Sequence, residues 1–524
     1  MGEPRDSEIL FTEPIPRRIS PDLSQPTTNE LQHLTSTNEY KGEWSFYLIL
    51  AGVVTTLGSS LPVGFNIGVV NTPEEVIKSW CNSSVASRYD VILDERWLDL
   101  LWSSVVSIFI VGGCTGSILG SVLANSLGRK MATIVTSLLS VAGALLFLLC
   151  RDANSVEMLI LGRLLVGLSG GLTTSIVPMY LSELAPLPLT GPLGVFCPMG
   201  VNVGVLVGQV MGLDFLLGKA DDWPYLLSVY AVLVIICIPI LFVLPESPKY
   251  LYVVKRNEEL ALKELSRLRG VSPGLLADDI DLLRDELSSS TASHQSWSMC
   301  RVITTKRLLL PVLLVCSMQA GQQTSGINAV FYYSQKIFRQ AGLSARGAQG
   351  ATVACGAINV CTALGMLRLL PARGRRRLLL ASALAAAATL AALAAALHQI
   401  KAAWWMPYVC MVAVFLYVFF YGFGLGPIPY FIASEIFEVG PRPAGMAWGS
   451  LANWGGNFLV GMLFPTMRET IGLYSFLIFA GITTLLFVFL KKYFPETRGK
   501  TPAQVTQLCS RGFSSKPLHR PVLT

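Results

Sequence analysis

The chain has 524 residues, of which 52% are hydrophobic and only 14% are charged, and its mean hydropathy is +0.54. Soluble globular chains carry roughly 25% charged residues, so this composition excludes a protein that lies wholly in water. Eleven scattered cysteines form no CxxC or Cys/His cluster, and no phosphate-binding Gly-Lys motif occurs, so neither a metal site, a cofactor nor an ATP-driven pump is expected.

Apolar runs of about 20 residues follow one another from residue 46 onward, separated by short polar loops. A helix of that length crosses a hydrocarbon core of about 30 Å, whereas the apolar strands of soluble proteins are much shorter. We therefore predict an all-α membrane protein with twelve transmembrane helices. The spans are predicted near residues 46–69, 98–120, 131–150, 157–177, 193–213, 224–244, 308–333, 348–370, 377–398, 407–430, 444–466 and 472–492.

Two polar segments divide these spans into sets of six. Residues 1–42 are rich in Pro, Ser and Thr and predict a disordered cytoplasmic tail. Residues 245–306 are hydrophilic and pair Glu with Lys or Arg at helical spacing, which predicts surface helices. The predicted order is a tail, a six-helix bundle, an intracellular helical linker, a second six-helix bundle and a cytoplasmic tail, at 1–42, 43–244, 245–306, 307–493 and 494–524.

Lysines and arginines concentrate in the loops on one side of the predicted spans, as in the clusters at 129–130, 373–377 and 491–492. Cytoplasmic loops carry such an excess, so both termini are predicted to be cytoplasmic. The 70–97 loop then faces outward, and Asn82, followed by two serines, is a predicted N-glycosylation acceptor. Glycosylation belongs to the secretory route and favours the plasma membrane.

Three short motifs occur twice in the same order. GRK at 128–130 is echoed by GRR at 374–376, SEL at 182–184 by SEI at 434–436, and PES at 245–247 by PET at 495–497. The three offsets are 246, 252 and 250 residues. Chance matches would not share nearly one offset, so the sequence predicts two six-span halves in parallel orientation. In transporters built from such repeats the solute binds between the halves, near the bilayer midplane.

Neutral amide side chains are concentrated in the spans of the second half. A polar solute stripped of water needs donors and acceptors, and an amide offers both without a charge. Buried amides also hold helices together, which is the alternative role. Six amides in one half favour a binding site. These six are Gln322, Gln323, Asn328, Asn359, Asn453 and Asn457.

Two further patterns predict gating elements. Pro427 and Pro429 stand among glycines in the tenth span, where proline removes an intrahelical hydrogen bond, and they predict a hinge. The charged residues of the repeated motifs predict ion pairs that tie span ends together in the outward-open state, although solvated anchoring alone would explain the arginines. The candidate gating charges are Arg129, Arg163, Glu183 and Glu246 in the first half and Arg375, Arg376, Glu435, Arg442 and Glu496 in the second.

A set of motifs stands in fixed order along the chain: GRLLVGLSGGL (162–172), PMYLSELAP (178–186), PESPKYL (245–251), QQTSGINAVFYYS (322–334), GPIPYF (426–431), GPRPA (440–444), NWGGNF (453–458) and PETRGKT (495–501). Over about residues 45–502 they resemble the sugar porter family of the major facilitator superfamily, and within it the facilitative glucose transporters. The resemblance implies the superfamily fold and uniport of a hexose by alternating access.

The resemblance also implies roles for individual residues. It implies that Tyr332 and Tyr333 belong to an outer gate, and that Tyr430 stands where glucose carriers usually have tryptophan. The residues that it places in the sugar site are Gln322, Gln323, Asn328, Asn359, Asn453, Trp454 and Tyr430.

Four positions depart from the glucose-carrier pattern. Thr190 replaces an arginine, Pro371 stands where an acidic residue precedes GRR, and Gly422 replaces a glutamate of the tenth span. These losses predict a thinner cytoplasmic lock and a weaker bias toward the outward-open state. Pro198 replaces a sugar-contacting glutamine, which predicts weaker binding of at least one hydroxyl.

The predicted function is facilitative transport of a hexose such as glucose or a related sugar. Proton-coupled relatives carry an acidic residue in the first span, where this chain has Asn66, which does not titrate. A proton-coupled symporter and a non-transporting sugar sensor are the alternatives. An enzyme is not expected, because the four histidines pair with no other catalytic group. The expected partners are a sugar and the lipid bilayer, without nucleic acid, and we expect a functional monomer.

Overall fold

The computed structural model describes residues 43–71, 73–213, 216–219, 221–291, 297–330, 338–339 and 342–515. Within these ranges every regular element is a helix, which confirms the predicted all-α class. The described helices pack into one compact unit. The proposed division into five domains stays a prediction.

Six long helices form what we call the first half. Polar residues begin several of them: the side chains of Asp94 and Ser155 accept hydrogen bonds from backbone N–H groups three residues later. A separate helix, Glu74–Tyr89, follows the first of the six. The six are α1 (Phe46–Gly68), α2 (Glu95–Leu127), α3 (Arg129–Leu149), α4 (Val156–Leu184), α5 (Leu187–Met211) and α6 (Trp223–Val243).

The second half follows a linker that contains the helices Tyr250–Val254, Glu258–Arg269, Ala277–Thr291 and Met299–Thr304. Helix Glu258–Arg269 agrees with the predicted surface helix. The second half consists of α7 (Lys306–Thr324), α8 (Ala345–Arg373), α9 (Arg375–His398), α10 (Met406–Gly422, continued as Ile428–Ile436), α11 (Arg442–Ile471) and α12 (Ser475–Tyr493). A short helix, Pro502–Cys509, comes after them.

Nine helices in the described part of the chain are long and apolar enough to span a membrane: α1–α6, α8, α9 and α12. The most apolar of them, α6, is also among the least buried, and its large side chains face outward, as expected for contact with lipid. The three other predicted spans contain α7, α10 and α11. Helices α7 and α11 carry amide side chains, and α10 is interrupted near two prolines. These features explain why the three helices are less apolar or shorter than the other nine.

The break in α10 confirms the interruption that the prolines predict. Helix stops at Gly422 and resumes at Ile428. In a membrane the freed backbone groups need partners inside the protein. Ser382 of α9 donates to the Phe420 carbonyl at 2.8 Å and accepts from the Leu425 N–H at 2.9 Å. Gln319 of α7 donates to the Pro429 carbonyl at 2.8 Å.

The seventh predicted span, 308–333, is not continuous. Helix α7 ends at Thr324, and the chain turns through Ser325 and Gly326 before it becomes helical again. Gly326 has a φ of +89°, a conformation that residues with a Cβ adopt at a cost. The QQTSGINAVFYYS motif contains no proline that would indicate a turn, so the sequence predicted one continuous span here.

The repeated GRK and GRR motifs adopt the same local structure. Gly128 precedes α3 with a φ of +92°, and Gly374 precedes α9 with a φ of +82°. A Cβ on Gly128 would lie 2.5 Å from an oxygen of Glu246, and one on Gly374 would lie 2.6 Å from an oxygen of Glu496. Glycine is therefore required twice over, by backbone conformation and by the approach of a carboxylate. This equivalence supports the predicted internal repeat.

Candidate functional site

A cavity lies between the two halves. The first half lines it with Val63, Ile67, Thr174, Pro198, Val201, Asn202 and Val205. The second half lines it with Gln322, Gln323, Ile327, Asn328, Asn359, Tyr421, Gly426, Tyr430, Asn453, Trp454 and Asn457. All seven side chains predicted for the sugar site are among them. The structure thus brings these residues together, and their contact with a sugar stays a prediction.

The amides of α7 and α11 are bonded to one another, and we call Gln319, Gln322, Gln323, Asn328, Asn453 and Asn457 the amide cluster. Asn453 is its hub, because its Nδ2 donates to Gln319 Oε1 at 2.9 Å and to Gln322 Oε1 at 2.6 Å, while its Oδ1 accepts from Gln323 Nε2 at 3.2 Å. Asn328 Nδ2 continues the chain to Gln323 Oε1 at 2.7 Å and to Asn457 Oδ1 at 2.8 Å. A connected network of this kind holds each amide in a fixed orientation.

The amide cluster also supports the break in α10. Gln322 Nε2 donates to the Gly426 carbonyl, one of the groups freed by the interruption. Gln319 Nε2 donates to the carbonyl of Pro429, in the first turn after the break. Of the two roles considered from sequence, bonding between helices is therefore observed, and binding of a sugar stays a prediction.

Asn359 of α8 is the predicted site residue that stands apart from the cluster. Its Oδ1 is buried and has no hydrogen-bond partner among the described residues. Leaving a buried acceptor unpaired costs about 1–3 kcal/mol. A ligand hydroxyl in the cavity is a suitable donor for it.

Trp454 of α11 lies against the first half. A Cβ on Gly113 of α2 would come within 2.4 Å of its indole, so only glycine permits this approach. The indole N–H donates to Thr174 Oγ1 at 3.1 Å, and that hydroxyl lies 2.7 Å from Ser450 Oγ. Trp454 consequently joins the halves with its N–H already occupied.

Buried ion pairs lie at the end of the molecule that carries the repeated motifs, which we call the motif end. Arg129 and Glu183 are bonded twice, at 2.8 and 3.1 Å, and Arg375 and Glu435 are bonded at 2.8 Å. Arg442 of the second half also reaches Glu183, with Nη1 at 3.1 Å from Oε1. Glu183 is thereby shared between arginines of both halves, and all three side chains are almost fully buried.

The carboxylates of the PES and PET motifs have a different role from the predicted one. Glu246 accepts from the backbone N–H groups of Arg129 and Lys130, at 3.0 and 3.2 Å. Glu496 accepts from Arg375 N at 2.8 Å and Arg376 N at 3.1 Å. Both therefore cap the start of a helix instead of pairing with an arginine side chain. Burial raises the pKa of the Glu246 carboxyl, and the N–H donors oppose the shift.

Comparison with known proteins agrees with this architecture. A family profile described as "Sugar (and other) transporter" matches residues 51–508. The chain is a member of the sugar transporter family. Solute carrier family 2, facilitated glucose transporter member 3 of Homo sapiens is 39% identical over 462 residues, which are 88% of this chain and 92% of that protein. Member 14 of Homo sapiens is also 39% identical, over 88% of this chain and 87% of that one.

The solved structures that this sugar transporter resembles show its fold. The proton:xylose symporter XylE bound to 6-bromo-6-deoxy-D-glucose has a TM-score of 0.77 at 23% identity, covering 88% of this chain and 99% of that one. The inward open conformation of XylE from E. coli has a TM-score of 0.64 at 22% identity, over 88% and 99% of the two chains. The protein has the fold of the major facilitator superfamily.

The side chains of two predicted gating arginines of the sugar transporter contact backbone carbonyls. Arg163 is 20 residues before Glu183 on α4, which places it about 30 Å from the motif end. It donates to the Asn66 carbonyl at 3.1 Å and lies over the Phe109 ring. The guanidinium of Arg376 donates to the carbonyls of Phe494 and Lys491 at 2.7 and 2.8 Å. Arg163 therefore does not lie with the repeated motifs at the motif end, and the gating role of Arg376 stays a prediction.

The internal repeat relates Thr190 of the first half to Arg442 of the second half, which lies at the motif end. Thr190 lies 252 residues before Arg442, the same offset that separates SEL from SEI. Arg442 is the second arginine that forms an ion pair with Glu183, whereas Glu435 pairs with Arg375 of its own half. The ion pair of Arg442 with Glu183 joins the halves, and a thinner lock stays a prediction.

The remaining predictions concern the outer gate, the glycosylation acceptor and the missing glutamate of the tenth span. Tyr332 and Tyr333 lie outside the described residues. Asn82 lies inside the helix Glu74–Tyr89 and not in an open loop, and its Oδ1 accepts from Leu93 N at 3.2 Å. Its glycosylation stays a prediction. A Cβ on Gly422 would lie 2.1 Å from Thr362 Oγ1, so the cavity has no room for a glutamate there without rearrangement.

Sequence reasoning missed four polar residues of the site. Gln319 lies one turn before Gln323 on the same helix, a spacing that was available as a signal. Asn202 is an amide in an apolar span, the same signal that predicted the amides of the second half. Thr174, between Thr173 and Ser175, and Ser450 carry no feature in the sequence that distinguishes them from structural residues.

Glu246→Ala is expected to lower the free energy of unfolding by about 1–2 kcal/mol, because the carboxylate satisfies N–H groups at the positive end of α3. Glu496→Ala should cost a similar amount at α9, and Glu246→Gln, which keeps an oxygen acceptor, should cost less. Thermal unfolding of the purified protein in detergent measures all three. A loss of about 3–5 kcal/mol, typical of a broken buried ion pair, would contradict the capping role.

Proposed function

We propose that this sugar transporter carries a hexose, such as glucose or a related sugar, across the membrane by facilitated diffusion. The observation that supports this most directly is the cavity between the halves, lined by a neutral amide cluster. The hydroxyls of a sugar give up water on entering it, and amides replace both the donor and the acceptor bonds. The human relatives at 39% identity are named facilitated glucose transporters.

Alternating access follows from the contacts between the halves. At the motif end Arg442 and Glu183 join the halves below the cavity, and Trp454 joins them beside it. Both contacts have to break for the solute to leave through the motif end. The interrupted α10 is the proposed hinge, since its backbone groups already bond to side chains.

Uncoupled transport is favoured by the groups around the cavity. No carboxylate, histidine, lysine or arginine is among the described residues that line it. Asn66, at the position where proton-coupled relatives have an acid, is buried and donates to the Pro62 carbonyl at 2.9 Å. A neutral lining gives a proton no site to occupy during the cycle.

We also propose that the motif end is cytoplasmic, with both termini on that side, that the membrane is the plasma membrane and that the monomer is the working unit. The basic residues of the motif end support the orientation, because cytoplasmic ends of spans carry an excess of Lys and Arg.

Uptake of labelled glucose into liposomes containing the purified protein tests the proposed function. Uptake down the glucose gradient is expected to continue unchanged when a protonophore collapses the pH gradient. Uptake that stops with the protonophore would indicate a proton symporter. Saturable binding without uptake would indicate a sensor.

A further inference from the structure

Asn202 of α5 is a polar side chain on an otherwise apolar wall of the cavity. Around it the first half presents Val63, Ile67, Val201 and Val205. Asn202 is half-buried, and its amide has no hydrogen-bond partner among the described residues. It therefore reaches the cavity with its donors and its acceptor uncommitted.

The other polar lining residue of the first half is already engaged. Thr174 Oγ1 accepts from the Trp454 indole and lies 2.7 Å from Ser450 Oγ. Pro198, four residues before Asn202 and on the same side of α5, has neither a polar side-chain atom nor a backbone N–H. Among the described lining residues of this half, Asn202 is thus the free hydrogen-bonding group.

The free amide of Asn202 is important because the second half can bond to only one side of a solute. The amide cluster can contact a solute only from the second-half side of the cavity, and its members already bond to one another. A hexose carries hydroxyls around its whole ring, so those that point toward the first half also need partners once water is removed. Without Asn202 they would face valine, isoleucine and proline side chains.

Resting on the proposed function, we propose that Asn202 contacts the sugar directly and determines specificity by pairing with one hydroxyl that points away from the amide cluster. An amide that loses its partner in a dry cavity costs more than a lost apolar contact, so a site of this kind rejects a solute that lacks the matching hydroxyl. Asn202 thereby selects among hexoses by the presence and direction of a single hydroxyl.

Equilibrium binding of glucose and of each mono-deoxyglucose to the full-length protein in liposomes tests this proposal. Asn202→Val, which keeps the side-chain volume close and removes the amide, should weaken glucose binding about tenfold, the equivalent of one hydrogen bond. One deoxy sugar, the one without the paired hydroxyl, should bind wild type and variant equally. The other deoxy sugars should lose the same factor as glucose.

Val205→Ala is the matched control, because it changes the same cavity wall one turn away without removing a hydrogen bond. It should weaken glucose and every deoxy sugar by one common factor. Asn202→Gln keeps the amide but displaces it, and it should change the order of preference among the deoxy sugars. This second variant gives a result even if Asn202→Val does not fold.

Equal losses for all sugars in Asn202→Val, or no loss, would overturn the assignment of Asn202 while leaving the proposed function standing. A wild-type protein that binds no hexose would instead overturn the proposed function itself.

Discussion

Replacing Asn453 with leucine is expected to weaken hexose binding by roughly thirtyfold or more. Asn453 lines the cavity, donates to Gln319 and Gln322 and accepts from Gln323. The change therefore removes the partner of a sugar hydroxyl and releases three amides from their fixed orientation. Each buried polar group left unpaired costs about 1–3 kcal/mol, and about 2 kcal/mol is already a thirtyfold change in affinity. Equilibrium binding of labelled glucose to the purified protein measures the effect.

Thr484→Val is the control for Asn453→Leu. Thr484 lies on α12 in the same half, its hydroxyl bonds to the Ala480 carbonyl of its own helix, and it does not line the cavity. This variant should bind glucose like the wild type. Equal affinities for Asn453→Leu and Thr484→Val would show that the amide cluster holds helices together and does not bind the solute.

Replacing Glu183 with alanine is expected to lower the free energy of unfolding by about 3–5 kcal/mol. The change leaves Arg129 and Arg442 buried without their carboxylate, and an unpaired buried charge carries a cost of that size. It also removes the ion pair between the halves, so the motif end should open more often. Thermal unfolding measures the first effect, and hydrogen exchange at the motif-end termini of α4 and α11 measures the second.

Glu435→Ala separates the two effects of Glu183→Ala. Glu435 is equally buried, but it pairs with Arg375 inside its own half. Its loss should destabilise the protein without faster exchange at the contact between the halves. Arg284→Ala removes an exposed pair with Asp281 and should change stability by less than about 1 kcal/mol. Unchanged exchange in Glu183→Ala would contradict a closing role for this contact.

The sequence was most informative where one residue type has one physical consequence. Pro427 and Pro429 predicted the break in α10, and the structure shows it between Gly422 and Ile428. Amides in apolar spans predicted a shared polar site, and those of α7, α8 and α11 meet in one cavity. In both cases the membrane leaves few ways to satisfy the polar groups.

Charged motifs were harder to interpret, because a carboxylate accepts equally well from an arginine side chain and from backbone N–H groups. Glu183 and Glu435 do the first, whereas Glu246 and Glu496 do the second. Arg163 was a different kind of error. Its distance from Glu183 along one helix follows from the sequence, and a rise of about 1.5 Å per residue would have excluded a contact.

Counterflow of labelled glucose in liposomes containing the purified protein tests the central claim most directly. Liposomes preloaded with unlabelled glucose should accumulate the label transiently above its outside concentration, because a carrier that alternates between two faces exchanges one sugar for another. Asn453→Leu liposomes should show almost no such accumulation, while Thr484→Val liposomes behave like the wild type. No transient accumulation with the wild-type protein, for glucose or for any hexose of a panel, would contradict the account.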